Sequence, residues 1–149
     1  MGTCSGFGYA VLEMGQAISG LNVVHHPNEG LQLRSEEAFL QPLNVCNVGM
    51  HTIRFKPVQS TLTCSLYGET QMISEESHCN YGINRPMIDM FEKEGLIVSG
   101  YDNEGEPKIM EYIHNHYFVI TLFLPQLKVG LKSPHPLLTA FFNTVKRNK

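Results

Sequence analysis

A chain of 149 residues, 42% of them hydrophobic, is one domain in length and carries enough apolar mass for an ordinary core, which excludes a disordered chain. The net charge of −3, with no basic block beyond the terminal KRNK, excludes the electrostatic footprint of a nucleic-acid binder. No apolar run approaches the ~18 residues of a membrane span, and the first residues carry neither a charged n-region nor a long apolar h-region, so the expected compartment is the cytoplasm with no membrane partner.

Phe7, Ala10, Val11, Met14 and Ile18 recur at three- and four-residue spacing and predict a helix from about Ser5 to Ile18, stopped by Gly20. LNVVHH then reads as a short strand, and the polar, unperiodic PNEGLQLRSEEAF as a surface loop. LQPLNVCNV, HTIRFKP and ETQMIS have strand composition, with Gly49 and Pro57 as punctuation. VQSTLTCSLYG is ambiguous, with room for one or two helical turns before Gly68. SHCNYGIN reads as extended. Asn84 can cap a helix that opens at Arg85-Pro86, where proline is tolerated in the first turn. That helix runs through Met87, Met90 and Phe91 and stops near Gly95. LIVSGYD, KIMEYI and YFVITLFLP read as three consecutive strands, the first two joined by a hairpin at NEGEP. HPLLTAFFNTVKRNK closes the chain as a helix with an apolar stripe of Leu137, Leu138, Phe141, Phe142 and Val145 and a basic last turn that suits the helix dipole. Helices bracketing six or more short strands make the class α/β.

The four cysteines, Cys4, Cys46, Cys64 and Cys79, fit no CxxC spacing and read as free, mostly buried thiols. Of the seven histidines, His25/His26 and His114/His116 are paired; two rings on one face of a strand make a metal site conceivable, but no third ligand is placed by spacing, and neither metal nor cofactor is expected. Cys4 stands in a Gly-x-Cys-x-Gly frame, Gly2 to Gly6, immediately before the first helix. Small residues around a nucleophile at a sharp turn relieve crowding, and the positive end of a helix favours a thiolate. The alternative is a small buried residue that happens to open a helix. Tyr67 and Tyr81 read as packed or ligand-stacking rings, Glu75/Glu76 and Glu104/Glu106 as solvated loop charges, Glu13 as a surface residue, His114 and His116 as edge-of-strand residues, and His135 as a helix-start residue.

The stretches TCSGFGYAVLE, ESHCNYGIN, GLIVSGYDNEGEPKIMEYIHNHYFVITLFLPQLK and SPHPLLTAFF, in this order, resemble the C-terminal glutaminase part of CTP synthases, within the class I glutamine amidotransferases. They are closer still to a group of small bacterial proteins related to that region. The resemblance implies an open, flavodoxin-like α/β sheet with helices on both faces, of which residues 1–149 would be the C-terminal part, beginning at the nucleophile elbow and lacking the N-terminal half. The central strand, and a glycine-rich oxyanion loop, would lie upstream of Met1, leaving an unpaired sheet edge. It implies glutamine hydrolysis as the ancestral reaction, through a thioester at Cys4, supplying ammonia for CTP synthesis in pyrimidine biosynthesis. The chain holds no P-loop with which to carry the nucleotide half of that synthesis.

Carried over singly, the family's nucleophile falls on Cys4 and its flanking glycines on Gly2 and Gly6. Tyr81 and Asn84 match positions of the second, substrate-gripping stretch, but the Arg and Glu beside that Tyr fall on Asn80 and Gly82. His116 matches a family histidine. The catalytic His and Glu fall on Leu124 and Gln126. Leucine cannot take a proton from a thiol or return one to a leaving amine, and an uncharged amide cannot stabilise an imidazolium. The expectation is a degenerate, inactive homologue. A non-catalytic binding or regulatory module, and a hydrolase using a Cys4–His78 dyad, are the alternatives. Expected partners are glutamine or a related small metabolite, and a separately made front half or a second copy along the open edge.

Overall fold

The helix predicted behind Cys4 forms as α1 (Ser5–Ser19), and Gly20 ends it in the left-handed conformation at φ 67°, its N–H returning to Gln16 O. The computed structural model describes residues 1–20, 38–43, 49–68, 72–128 and 134–147. The readings of LNVVHH, of residues 27–37 and of Cys46 therefore lie outside the described residues.

Ahead of α1 is a strand that no periodicity in the sequence marks. β1 (Gly2–Thr3) is only two residues long, yet it pairs in parallel with β8 (Val119–Thr121). The remaining elements are β2 (Leu40–Pro42), β3 (His51–Pro57), α2 (Leu62–Tyr67), β4 (Ile73–Ser77), β5 (Tyr81–Ile83), α3 (Ile88–Lys93), β6 (Leu96–Tyr101), β7 (Pro107–Tyr112) and α4 (Pro136–Arg147). Six strands form one mixed sheet in the order β1-β8-β7-β6-β3-β4, antiparallel except at β1–β8, and β2 pairs with β5 apart from it.

Successive side chains on a strand point to opposite faces, and both faces of this sheet are covered. Met110 and Ile120 face a core that holds Phe7, Val11 and Leu12 of α1 and Phe91 of α3. Ile109 and Val119 face a second core with Phe55, Phe123 and Leu137, against which Leu62, Leu66 and Tyr67 of α2 and Phe141 of α4 pack. This double cover explains why Pro107–Glu111 is an unbroken buried run rather than an alternating one. The expected α/β sheet with helices on both faces is what forms.

Several local readings need correction. Phe39, read into a surface loop, is core, edge-on to Phe91 at 6.0 Å between ring centroids. The strand placed on ETQMIS forms at Ile73–Ser77 instead. The strand placed on YFVITLFLP stops at Thr121: the Leu124 N–H donates to Glu76 O (2.8 Å) and Thr121 Oγ1 to Phe123 O (2.8 Å), so the chain leaves the ladder while Leu122 and Phe123 stay buried. VQSTLTCSLYG resolves as α2, capped by Thr61 Oγ1, which accepts from Cys64 N (3.1 Å). Asn84 does not cap the next helix with its side chain; Nδ2 donates to Ala38 O (2.8 Å) and ties the 38–43 segment to β5. The stripe of α4 is buried at Leu137 but exposed at Phe142 and Val145.

Candidate functional site

Cys4 links β1 to α1 at φ 52° and ψ −114°, a conformation that L-residues rarely adopt. It is held there by the strand before it and the helix after it. Its N–H donates to Thr121 O (2.8 Å), and its carbonyl accepts from Phe7 N (2.9 Å). A strained strand-to-helix turn of this kind exposes the side chain at its apex. The two glycines of the frame contribute differently. A Cβ on Gly2 would lie 2.9 Å from Gly6 O and 3.2 Å from Ile120 Cγ2, whereas one on Gly6 would meet nothing within 4 Å. Gly2 is thus required by close packing of β1 on the first turn of α1, whereas the space at Gly6 would admit a side chain.

Beside the turn is a small cavity of about 80 Å³, lined by Cys4, Ser5 and Gly8 from α1 and its approach, and by His78, Cys79, Asn80 and Tyr81 from the segment that runs from β4 into β5. That segment is fixed from below: Ser77 Oγ donates to Leu122 O (2.5 Å) and accepts from Cys79 N (3.1 Å), and Asn80 O accepts from Leu43 N (2.8 Å). The Cys79 thiol is buried and lines the cavity with Cys4; burial first, and the neighbouring Cys4 second, push it far above the ordinary thiol range, against a smaller opposing effect of Ser77. His78 is exposed on the same wall, and Asn80 carries a buried Oδ1 with no partner among the described residues.

The fold therefore gathers Cys4, His78 and Tyr81 at one cavity. Gly2 and Gly6 shape the turn without lining it, and Asn84 is occupied with Ala38 rather than facing it. Leu124 and Gln126 follow β8, the strand paired with β1. Gln126 is exposed, its Nε2 3.5 Å from Thr3 Oγ1, and Leu124 is half-buried; neither lines the cavity. His114 and His116 are exposed in the turn between β7 and β8. No group of three His, Cys, Asp or Glu side chains able to hold a metal ion occurs among the described residues, and no helix among them is long and apolar enough to cross a membrane.

Two buried carboxylates escaped the sequence reading. Glu75, taken as a solvated loop charge, is 1% exposed and contacts His135 Nε2 (3.0 Å), Tyr67 Oη (3.1 Å) and Lys128 Nζ (3.1 Å). Burial alone would raise its pKa, but the hydrogen bonds and charges of His135 and Lys128 outweigh that and hold it below the usual carboxylate value. Burial and the adjacent Glu75 drive the Tyr67 hydroxyl upward. His135 also starts α4, its Nδ1 accepting from Leu137 N (3.2 Å). Glu111 caps α2 from another strand, accepting from Leu62 N (2.8 Å), Thr63 N (3.0 Å) and Thr63 Oγ1 (3.0 Å). The period-two alternation of ISEES puts Ile73, Glu75 and Ser77 on one buried face, and would have exposed Glu75 as a core residue had the strand been placed there.

No protein-family model matches the chain. It is 28% identical over 159 residues to the CTP synthase of Thermococcus kodakarensis, covering 100% of this chain and 29% of that protein. It is likewise 28% identical over 153 residues to that of Saccharolobus solfataricus, covering 97% and 28% respectively. Among solved structures it superposes on the glutaminase domain of Trypanosoma brucei CTPS with bound acivicin, at a TM-score of 0.84 and 16% identity, covering 98% of this chain and 59% of that one. The chain thus spans less than a third of the curated relatives it matches, and shares the fold of the trypanosomal domain.

Proposed function

We propose that this chain, a homologue of the glutaminase domain of CTP synthase with a class I glutamine amidotransferase-like fold, is a degenerate glutaminase. In this reading it keeps the nucleophile turn and a pocket for a small amide, and has lost the proton transfer that turns glutamine over. The observation that carries the reading is the pairing of a retained turn, Cys4 at φ 52° at the start of α1, with Leu124 and Gln126 in the loop beyond the strand next to β1.

In amide hydrolysis the Cys4 sulfur attacks the carbonyl carbon, and the C–N bond breaks only if the departing nitrogen gains a proton. A hydrocarbon side chain and a neutral carboxamide supply neither base nor acid, and removing a triad's base typically costs about four to six orders of magnitude in rate. A cavity of about 80 Å³ has room for a small polar group such as the amide end of a side chain. The unpaired Asn80 Oδ1 is an acceptor suited to an amide N–H.

The supporting experiment is treatment of the full chain with an electrophilic glutamine analogue, followed by peptide mass analysis. A single adduct on Cys4, absent from Cys4→Ala, supports the reading. A chain left unlabelled, yet held in a stable complex with another protein or a second copy along the β1 edge of the sheet, favours a non-catalytic binding module. A second reading has one specific observation behind it: His78 and Cys4 line the same cavity. A Cys4–His78 dyad predicts hydrolysis of an amide or thioester that disappears in His78→Ala, and turnover unchanged by that substitution refutes it.

A further inference from the structure

Among the described residues Cys4, Cys64 and Cys79 are all reduced, and Cys4 and Cys79, far apart in sequence, line the same cavity. They differ in surroundings. Cys4 is half-buried at the start of α1, Cys79 on the β4–β5 segment is 7% exposed, and both line the cavity. Cys79 belongs to the buried core cluster and Cys4 packs against that cluster, so neither is placed by an exposed loop alone. A more accessible sulfur and a more deeply buried one at the same cavity are the arrangement of an attacking and a resolving thiol. His78 lines the same cavity.

We propose that Cys4 and Cys79 form a reversible disulfide when the protein meets a peroxide, so that the cavity thiol is a redox-modified site. The Cys4 sulfur, its proton passed to His78 or water, attacks a peroxide oxygen. The O–O bond breaks, hydroxide leaves and takes up a proton, and Cys4 becomes a sulfenic acid. The Cys79 sulfur then attacks the Cys4 sulfur. The S–OH bond breaks as the S–S bond forms, and the hydroxyl leaves with the Cys79 proton as water. The two thiols together lose two electrons, and hydrogen peroxide is reduced to two waters. A dithiol reductant reverses the bond by exchange. The bond would join the start of α1 to the β4–β5 segment and remove both free thiols from the cavity. It requires no amide chemistry, so it stands or falls separately from the glutaminase reading.

The test exposes the full reduced chain to hydrogen peroxide, blocks remaining thiols with a maleimide, and maps the peptides. The expected result is a Cys4–Cys79 linked peptide that replaces both free thiols, with Cys64 still alkylated, and that is lost on treatment with dithiothreitol. In Cys79→Ser the sulfenic acid on Cys4 should persist and be captured by dimedone. Cys4→Ser, should the first variant fail to fold, should leave Cys79 fully alkylatable after peroxide. Accumulation of sulfenic or sulfinic acid on Cys4 in the wild-type chain while Cys79 remains alkylatable, linkage of either residue to Cys46 or Cys64 instead, or resistance of Cys4 to peroxide equal to that of Cys64 would each overturn the proposal.

Discussion

Gly2 and Gly6 flank Cys4 symmetrically in the sequence, and the structure predicts that alanine will be tolerated at one and not at the other. A methyl group at Gly2 would sit 2.9 Å from Gly6 O, 3.1 Å from Gly6 C and 3.2 Å from Ile120 Cγ2. The first two are backbone atoms and cannot swing away, so β1 must move off α1 or off β8. Overpacking of this kind costs about 1–3 kcal/mol, and a chain of this length loses roughly 2–4 °C of melting temperature per kcal/mol. The damage falls on the hydrogen bond from Cys4 N to Thr121 O and so on the presentation of the thiol. Alanine at Gly6 meets open space inside α1 and gains up to about 1 kcal/mol of helix propensity. Thermal or urea unfolding of both variants, with the rate of Cys4 alkylation by iodoacetamide, measures the contrast. Gly2→Ala should melt several degrees lower with altered Cys4 reactivity, and Gly6→Ala should match or exceed the wild type. Equal destabilisation by the two would refute the packing argument.

Glu75 is held below the usual carboxylate range by His135 and Lys128, so its contribution to stability is present above the unfolded carboxylate pKa and is lost as pH falls through its lower folded value. Urea unfolding followed from neutral to acid pH should show this loss, and Glu75→Gln should flatten that limb. Because it leaves His135 and Lys128 beside a neutral group, the same substitution should cost about 3–5 kcal/mol at neutral pH. Glu111→Ala should orphan the Leu62 and Thr63 amides at about 1–3 kcal/mol for each buried donor left unpaired, and hydrogen exchange should show α2 opening ahead of β6 and β7.

What could be read along the chain was what depends on local period and punctuation. α1 and α4 follow from their apolar spacing, Gly20 from its place after α1, and the β6–β7 hairpin from two apolar runs around NEGEP. β1 was illegible because two residues have no period; only its partner β8, more than a hundred residues away, makes it a strand. Placing a strand on ETQMIS, a few residues before the true Ile73–Ser77, turned Glu75 from a core residue into a loop charge and hid its partnership with His135, which is contributed by a distant helix start. The site was half legible. The frame around Cys4 and the resemblance behind it singled out Cys4 and Tyr81, which line one cavity, but the placing of Cys79 at that cavity is a tertiary fact, and the family role assigned to Asn84 gave no hint that its amide donates to Ala38.

The most direct measurement is ammonia release from glutamine by the purified full chain at saturating substrate, set beside Cys4→Ala. A degenerate site predicts that the two are indistinguishable, since Leu124 and Gln126 offer no proton to the leaving nitrogen. A wild-type rate well above that of Cys4→Ala would contradict it, and would show that another group completes the chemistry at this turn.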